Sequence, residues 1–232
     1  MSLLVLALVT VYTIVLGTLG ILLCLLVPGG AALIPLARTW SWLVMRSARV
    51  RFRATYDPTL DPGRPAVYVA NHQSQFDIPA LVLAMPTDFR VVAKRALLFI
   101  PIFGWALWLA GFIFIDRGNR ERAIKSLDRA AARLRKGTSV VIFAEGTRST
   151  DGSLLPFKRG GFVLAIQAGV PVVPVTVQGG REVLPKGALR IRPGTIDVHF
   201  GVPIDTGRYT YESRDALISV ARSAIEARLK KT

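Results

Sequence analysis

The stretch AVYVANHQSQFDIPALVLA, residues 66–84, changes its hydrophobic pattern twice. Residues 66–70 are a short run of β-branched and aromatic side chains, which is typical of a strand, and a polar cluster over residues 71–77 follows. The motif Asp77-Ile-Pro-Ala predicts a helix start, because a proline in the first turn lacks only an N–H that would have no partner there. A strand, a polar loop and a helix in this order are the repeating unit of an α/β fold.

The same alternation continues towards the C-terminus. Further strands are predicted at residues 89–93, 111–115, 139–143, 170–177 and 195–200, and helices at residues 119–136, 162–168 and 211–230. Pro171 and Pro174 are expected to interrupt the fourth of these strands, because proline cannot donate to a β-ladder. We therefore expect a mixed, largely parallel sheet flanked by helices, with polar groups where the strands end.

The N-terminal region carries no charged side chain before Arg38, and residues 3–27 are almost wholly apolar. A helix of roughly 20 such residues crosses a hydrocarbon core. A secretory signal peptide is the competing interpretation, but a basic n-region is absent and the apolar run is longer than usual. We expect a retained membrane anchor, with a helical hairpin packed inside a soluble core as the alternative.

A second apolar segment, residues 31–45, follows a Pro-Gly-Gly break and contains Trp40 and Trp42, which suit headgroup depth. It is short for a full crossing, so it is either an interfacial helix or the returning arm of a re-entrant hairpin. Arginines come next, at positions 46, 49, 51 and 53. Basic residues after an anchor favour the cytoplasmic side, so we expect an anchor over residues 1–49 and a domain on the cytoplasmic face over residues 50–232.

The overall composition limits the classes of function. The 232 residues are 51% hydrophobic, and 30 Lys and Arg against 15 Asp and Glu give a net charge of +15. Such apolar character excludes a dominantly disordered chain, and a chain both basic and apolar favours an anionic phospholipid membrane over nucleic acid as its partner. One cysteine, Cys24, and two histidines cannot build an intramolecular disulfide or a zinc site of several Cys and His ligands.

His72 and Asp77 are the first candidates for chemistry. Five positions along a regular helix would set them about 140° apart, so they meet only if the segment is a loop or a bent helix entry. If they meet, the carboxylate holds one imidazole tautomer while the other ring nitrogen takes a proton from a hydroxyl or thiol. The alternative is a helix-capping Asp77 and an incidental surface His72. The other histidine, His199, alternates with apolar residues in a predicted strand and is interpreted as structural.

Cations recur where predicted strands end. Lys94 and Arg95 follow one strand, Arg117 follows the next, and the cluster at residues 145–149 follows a third. The hydroxyls and guanidinium of that cluster suit a phosphate, and the same pattern also fits a hairpin turn. Cations that converge on one sheet edge favour an anionic ligand, while the basic residues of the helix at 119–136 are expected to face anionic lipid.

Four blocks together resemble the glycerolipid acyltransferase family. They are NHQSQFD at residues 71–77, GFIFIDR at 111–117, FAEGTRS at 143–149 and VPVVPV at 170–175, and they occur in the family's order. The resemblance implies transfer of an acyl chain from an acyl thioester, on coenzyme A or acyl carrier protein, to the free hydroxyl of 1-acylglycerol 3-phosphate (lysophosphatidic acid), making phosphatidic acid in phospholipid biosynthesis. It implies that His72 deprotonates this hydroxyl, that Asp77 orients His72, and that no covalent acyl-enzyme forms.

The resemblance also implies a binding site for the acceptor, with cations that hold the glycerol phosphate. The residues it assigns to this site are Lys94, Arg117, Glu145, Gly146, Thr147 and Arg148. No metal or bound cofactor is required, because the thioester is a co-substrate. The chain departs from the family pattern at Ala144, where proline is common, and at residues 94–97. Acylation of another lysolipid and a non-catalytic basic membrane-surface protein are the alternatives, and the implied location is the cell membrane, with the catalytic domain on its cytoplasmic face.

Overall fold

The computed structural model of the chain describes residues 2–26, 30, 33–116 and 120–229, except for the side chains at positions 25 and 120–125. The described residues form a seven-stranded sheet with helices on both faces. The strands are β1 (Val50–Tyr56), β2 (Val67–Ala70), β3 (Phe89–Lys94), β4 (Ile113–Ile115), β5 (Ser139–Phe143), β6 (Val172–Gln178) and β7 (Gly194–Phe200). The helices are α1 (Ser2–Leu26), α2 (Leu33–Ser47), α3 (Asp77–Ala84), α4 (Phe103–Leu109), α5 (Arg120–Arg135), α6 (Gly160–Ala168), α7 (Gly180–Val183) and α8 (Arg214–Leu229), and a 3-10 helix spans Arg95–Phe99.

The sheet has the order β1-β7-β6-β2-β5-β3-β4, and its neighbouring strands are parallel except for β6 and β7. Strands β2 to β6 therefore all end at one edge, the carboxyl edge, where the last residues of these strands are Ala70, Lys94, Ile115, Phe143 and Gln178. β1 and β7 run the other way. A largely parallel sheet flanked by helices confirms the predicted fold class, and folds of this kind bind their ligands at the carboxyl ends of the strands.

The centre of the sheet is buried on both faces. In β2, Val67, Tyr68, Val69 and Ala70 are all fully buried, as expected of a strand between two parallel neighbours. Tyr68 and Ala70 belong to a hydrophobic cluster that includes α3, whereas Val67 and Val69 belong to one that includes α5, α6 and α8. Burial on both faces holds the end of β2 in place, and with it the start of the loop that follows.

The patterns in the sequence did not predict β1, α4, the short helix α7 or the 3-10 helix. β1 alternates apolar Val50, Phe52 and Ala54 with polar residues, which is the pattern of a strand with one polar face. Arg51 and Arg53 equally fit the basic flank of a membrane anchor, which is the interpretation given to them above. α4 is only seven residues long and apolar on all sides, so it shows no helical period. The other predicted strands and helices agree with the observed ones to within a few residues, with the start of the helix predicted at 119 outside the described residues.

β6 runs through Pro174 without interruption, so this expectation was wrong. The strand begins at Val172, which exchanges hydrogen bonds with Ile204, and the carbonyl of Pro174 accepts the N–H of Gly201 at 2.9 Å. Alternate residues of a strand present their backbone groups to the same neighbour. The position of the missing Pro174 N–H therefore faces the irregular residues 201–203 rather than β2, and no bond of the parallel ladder is lost.

α1 and α2 pack together as a helical pair. α1 is the one helix among the described residues that is long and apolar enough to cross a membrane, and most of its large side chains are exposed. Trp40 Nε1 donates to Thr13 Oγ1 at 3.0 Å, and the hydroxyls of Tyr12 and Ser47 lie 3.0 Å apart. The predicted break between the two helices lies outside the described residues apart from Gly30. The division into an anchor and a second domain stays a prediction.

Candidate active site

The loop after β2 brings His72 and Asp77 together. Residues 71–76 form no helix, and Asp77 begins α3, so the chain turns between the two side chains. His72 Nδ1 lies 2.9 Å from Asp77 Oδ2, and Asp77 is only 1% exposed. Because an ionised carboxylate can only accept hydrogen bonds, we assign the Nδ1 proton to His72, which leaves Nε2 as an acceptor.

Backbone donors hold the Asp77 carboxylate in place. The N–H groups of Gln73 and Ser74 both donate to Asp77 Oδ2 at 2.7 Å. Asp77 Oδ1 has no hydrogen-bond partner among the described residues and lies against Gly180, where a Cβ would come within 2.0 Å of it. Only a glycine at position 180 leaves room for the carboxylate in this orientation.

The imidazole of His72 rests on an aromatic ring. Phe143, the last residue of β5, stacks on it with ring centroids 4.0 Å apart and planes inclined by 24°. The adjacent Asn71 exchanges hydrogen bonds of 2.7 and 2.8 Å with the backbone of Val177, which ties the end of β2 to β6. The side chain of His72 keeps 13% exposure. The ring is therefore held by its stack and by Asp77 while one part of it stays open to solvent.

Glu145, assigned by resemblance to the acceptor site, supports the backbone of His72. It is 2% exposed, its Oε1 accepts the His72 N–H at 2.7 Å, and its Oε2 accepts the Leu155 N–H at 2.8 Å. Burial raises the pKa of Glu145, and the two N–H groups partly oppose that rise. Both carboxyl oxygens are engaged by backbone, so the geometry assigns Glu145 a positioning role, and its contact with the acceptor stays a prediction.

The third sequence block forms a tight turn at the carboxyl edge. Gly146 has a φ of 69°, which favours glycine, and its N–H donates to the Phe143 carbonyl at 3.0 Å. Thr147 is exposed and Arg148 half-buried, and the N–H of Ser149 donates to the His72 carbonyl at 2.9 Å. The turn thus places Arg148 next to a residue that is bonded to the His72 loop.

Ala144 stands where the family commonly has proline. Its N–H donates to the Ala70 carbonyl at 2.9 Å, a hydrogen bond that proline could not form. This departure from the family pattern therefore adds a link between the ends of β5 and β2.

Cations surround this part of the carboxyl edge. Lys94 ends β3 and is exposed, whereas Arg95 donates to Asp116 at 2.8 Å. Lys186, which sequence reasoning missed, donates to the Arg148 carbonyl at 2.9 Å. It comes from the loop after α7, where no pattern distinguishes it from other surface lysines.

Arg117 lies outside the described residues, so its assigned role stays a prediction. Phe143 belongs to the third sequence block and Gly180 to none, and neither was predicted as a site residue, because a strand-end phenylalanine and a lone glycine do not reveal which side chains they contact. Within the described ranges, no group of three or more His, Cys, Asp or Glu side chains could hold a metal ion. The expectation of a transfer without metal or cofactor stays a prediction.

A family model named Acyltransferase matches residues 50–178, which contain the His72 loop, the Glu145 turn and β6. The chain belongs to the acyltransferase family. This match confirms the family that the sequence blocks indicate. It begins at the first residue of β1 and covers the strands that meet at the carboxyl edge.

Three similar proteins carry the name 1-acyl-sn-glycerol-3-phosphate acyltransferase. The 1-acyl-sn-glycerol-3-phosphate acyltransferase of Chlamydomonas reinhardtii is 39% identical over 171 residues, which are 72% of this chain and 49% of the relative. The chloroplastic enzyme LPAT1 of Arabidopsis thaliana is 40% identical over 162 residues, 69% of this chain and 44% of the relative. The human alpha enzyme is 38% identical over 165 residues, 71% of this chain and 58% of the relative. The chain thus spans about half the length of these relatives.

A solved structure shares the fold along the whole chain. It is the 1-acyl-sn-glycerophosphate acyltransferase PlsC from Thermotoga maritima, with a TM-score of 0.78 and 24% sequence identity. The similarity covers 100% of this chain and 97% of that one. It includes α1 and α2, so the helical pair is part of the shared fold.

Proposed function

We propose that this chain transfers an acyl group from an acyl thioester to the free hydroxyl of 1-acylglycerol 3-phosphate and so forms phosphatidic acid. The observation that carries the proposal is the 2.9 Å contact between His72 and the buried Asp77 in a chain of the acyltransferase family. The relatives quoted above are named for this acceptor, which supports its choice over other lysolipids.

The reaction needs a base for the acceptor hydroxyl. His72 Nε2 accepts the hydroxyl proton while Asp77 stabilises the imidazolium that forms. The acceptor oxygen attacks the thioester carbonyl, and the tetrahedral intermediate collapses with cleavage of the carbon–sulfur bond. The imidazolium returns its proton to the leaving thiolate, so His72 ends the cycle neutral. The acyl group is never attached to the protein.

The acceptor's phosphate requires cations close to this base. Lys94, Arg148 and Lys186 are drawn from three separate segments at the carboxyl edge, and Arg117 follows β4 in the sequence. Arginine offers planar paired donors to phosphate and lysine a compact charge. This arrangement supports a glycerol phosphate held at the edge, with its free hydroxyl directed to His72.

The N-terminal helices support a reaction at a membrane. α1 presents exposed Leu, Ile and Val side chains along a helix long enough to cross a bilayer, and the chain carries a net charge of +15. We place the protein at the cell membrane with its sheet on the cytoplasmic face, where acyl-coenzyme A and acyl carrier protein are available as donors. The arginines at positions 46, 49, 51 and 53 support this orientation.

The test is an assay of the purified full chain in detergent micelles. Lysophosphatidic acid is supplied with either acyl-coenzyme A or an acyl carrier protein thioester, and phosphatidic acid is measured by mass spectrometry. We expect product with at least one donor, and a rate roughly 10²–10⁴-fold lower for His72→Ala.

Monoacylglycerol, which lacks the phosphate, is the matched acceptor control, and we expect it to be a much poorer substrate. Equal turnover of both acceptors would contradict the assigned phosphate contacts. Undiminished product with His72→Ala would overturn the proposed base, and no product with either donor would overturn the proposed activity.

A further inference from the structure

Exposed apolar side chains cluster on the segment from the 3-10 helix to α4. Phe99 is 72% exposed, Trp108 61%, Trp105 53% and Ile100 46%. Single exposed apolar residues are common on protein surfaces, but several within so short a segment mark an interaction site. We name this set, Phe99, Ile100, Trp105 and Trp108, the aromatic ridge.

The segment is held firmly against the N-terminal helices. Ile102, immediately before α4, packs so closely on α1 that a Cβ at Gly17 would lie 2.7 Å from its Cγ2. Phe103 contacts Trp40 of α2 with ring centroids 6.3 Å apart. Ile102 also has a φ of 63°, a strained conformation for a β-branched residue that persists only where the surroundings impose it.

Ile102 and Phe103 pack against α1 and α2, whereas the side chains of the aromatic ridge are exposed to solvent. Trp105 and Trp108 are three positions apart and so share one face of α4. A Cβ at Gly104 would lie 2.3 Å from the Leu97 carbonyl oxygen, and the Gly104 N–H donates to the Ile100 carbonyl at 2.8 Å. The 3-10 helix is thus folded closely onto the first turn of α4, and Phe99 and Ile100 lie at that junction. The ridge is therefore a fixed surface rather than a loose loop.

The charge of the surrounding sequence and the contact of α4 with α1 favour a lipid surface as the partner of the ridge. Residues 89–115 contain no acidic side chain, and the exposed Lys94 lies five positions before Phe99, whereas Arg95 is paired with Asp116. Tryptophan beside basic residues is typical of the headgroup region of a bilayer. The ridge also adjoins α1, whose exposed apolar residues form the proposed membrane contact. A lipid surface that covers α1 would extend over α4.

We propose that the aromatic ridge is a second membrane contact, in which Phe99, Ile100, Trp105 and Trp108 enter the headgroup region of an anionic bilayer beside α1. The inference rests on the proposed membrane attachment and names the surface that orients the site. β3 ends at Lys94, five positions before Phe99, so contact at the ridge brings the carboxyl edge to the bilayer. A lysolipid acceptor then reaches His72 by lateral diffusion without leaving the membrane.

The first test measures where the ridge lies. The chain has four tryptophans, at positions 40, 42, 105 and 108, so Trp40→Phe with Trp42→Phe leaves fluorescence from the ridge alone. This variant is reconstituted in vesicles of phosphatidylcholine and phosphatidylglycerol with and without brominated acyl chains. We expect brominated lipid to quench about half or more of the emission, because indole rings at the interface contact the upper acyl chains.

The quenching result separates lipid from other occupants. Emission that brominated lipid leaves unchanged and aqueous iodide quenches would overturn the proposal, because the ridge would face water. Protection from both quenchers would also overturn it, since a protein partner or a second copy would then cover the ridge. This measurement does not require turnover, so it stands even if the proposed reaction fails.

The second test measures the functional consequence. The variant Phe99→Ser, Trp105→Ser, Trp108→Ser is compared with Val202→Ser, Tyr211→Ser. Val202 and Tyr211 are similarly exposed, but they follow β7, which ends at the edge opposite the carboxyl edge. We expect the ridge variant to lose about tenfold in kcat/KM with acceptor presented in vesicles, and less than about twofold with short-chain acceptor in micelles.

The control variant should match the wild type in both assays. Unchanged vesicle activity of the ridge variant, or an equal loss in the control variant, would overturn the proposal. Wild-type protein that is inactive in micelles would refute the proposed function and not the membrane contact of the ridge. The quenching experiment would then be the test of that contact. If the ridge variant does not fold, quenching of the ridge tryptophans also decides the proposal.

Discussion

The two histidines of this chain differ in what surrounds the same ring nitrogen. His72 Nδ1 lies 2.9 Å from a buried carboxylate, whereas His199 Nδ1 lies 2.9 Å from the hydroxyl of Thr55. His199 sits inside β7, directly opposite Thr55 of β1 in the register of the sheet. Burial and Arg228 lower the pKa of His199, which favours its neutral form. The charge of Asp57 opposes this fall only in part, and of the two rings only His72 is hydrogen-bonded to a carboxylate.

The difference follows from where each residue lies along a strand. Inside a strand the backbone N–H groups are engaged in the ladder, so they are not available to hold a carboxylate beside the side chain. A residue just after a strand lies where the chain turns, and the free N–H groups of the turn can hold a carboxylate. The His72 loop has this arrangement, with Gln73 and Ser74 donating to Asp77.

Replacing each histidine by alanine tests this comparison most directly. We expect His72→Ala to lower kcat roughly 10²–10⁴-fold, because the base is lost, and His199→Ala to change it less than about twofold. Initial rates of phosphatidic acid formation measure both. Similar losses in the two variants would mean that strand position does not separate a base from a structural histidine.

Asp77→Asn is expected to have the next largest effect. The side chain keeps its shape but no longer stabilises the imidazolium, so kcat should fall about 10²–10³-fold. If Asp77 acts through His72, the double variant with His72→Ala should lose little more than His72→Ala alone, which a double-mutant cycle of kcat measures. Losses that multiply fully would show independent roles.

Gly180→Ala tests whether the Asp77 carboxylate requires the absence of a side chain at position 180. The new Cβ would lie 2.0 Å from Asp77 Oδ1 and 2.9 Å from Ser74 Cβ, so the loop has to shift. We expect kcat to fall about tenfold or more and the free energy of unfolding to fall by about 1–3 kcal/mol, from rate assays and urea denaturation.

Gly160→Ala is the matched control for this substitution. At that position the nearest atom to a new Cβ, on Leu127, is 3.6 Å away, which is ordinary van der Waals contact. Alanine there should leave the rate unchanged. A Gly180→Ala variant that behaves like Gly160→Ala would contradict the close contact with Asp77.

Glu145→Gln separates positioning from acceptor binding. In the variant, the side-chain NH2 takes the place of one carboxyl oxygen and faces the N–H of either His72 or Leu155, which then lacks an acceptor. The free energy of unfolding should therefore fall by about 1–3 kcal/mol. A positioning role predicts a kcat roughly tenfold lower, with the acceptor KM changed less than about twofold. A higher KM with unchanged kcat would favour direct contact with the acceptor.

The pH dependence of stability provides a second readout for Glu145. Burial raises its pKa in the folded chain above the ordinary value of 4.5, so folding favours the protonated form. The stabilisation that comes from this shift is fully present at a pH below the pKa of Glu145 in the unfolded chain. It is lost as the pH rises through the higher pKa of the folded chain. Wild type should gain stability relative to Glu145→Gln as the pH falls from neutral towards 4.5, measured by urea denaturation. A difference that moves the other way would contradict the direction of the shift.

Ala144→Pro is expected to have the smallest effect. It removes the hydrogen bond from the Ala144 N–H to Ala70 and points the proline ring at that carbonyl, at a cost of about 1–3 kcal/mol, of which restriction of the unfolded chain offsets about 0.4–1 kcal/mol. We expect the free energy of unfolding to fall by about 1 kcal/mol in urea denaturation, and activity to change less than about twofold. A large loss of either would show that the link between β5 and β2 holds the His72 loop in place.

The sequence by itself determined the order of most strands and helices, the apolar N-terminal helix and the family. These features are encoded in contiguous residues, since the hydrophobic period and the block NHQSQFD, residues 71–77, are read locally. It also placed His72 and Asp77 as a possible pair, because only five positions separate them. It did not predict β1, whose arginines also fit the basic flank of an anchor, and it expected an interruption at Pro174 that the irregular neighbouring segment makes unnecessary.

Only the tertiary structure decided which distant residues support the pair. Glu145 reaches the His72 backbone, Gly180 makes room for Asp77, and Lys186 approaches Arg148 because β2, β5 and β6 are neighbours in the sheet. It also turned Trp105 and Trp108 outwards by packing Ile102 against α1. Each of these contacts joins segments far apart in the chain, and their meeting depends on strand order and helix packing, which no local pattern of side chains encodes.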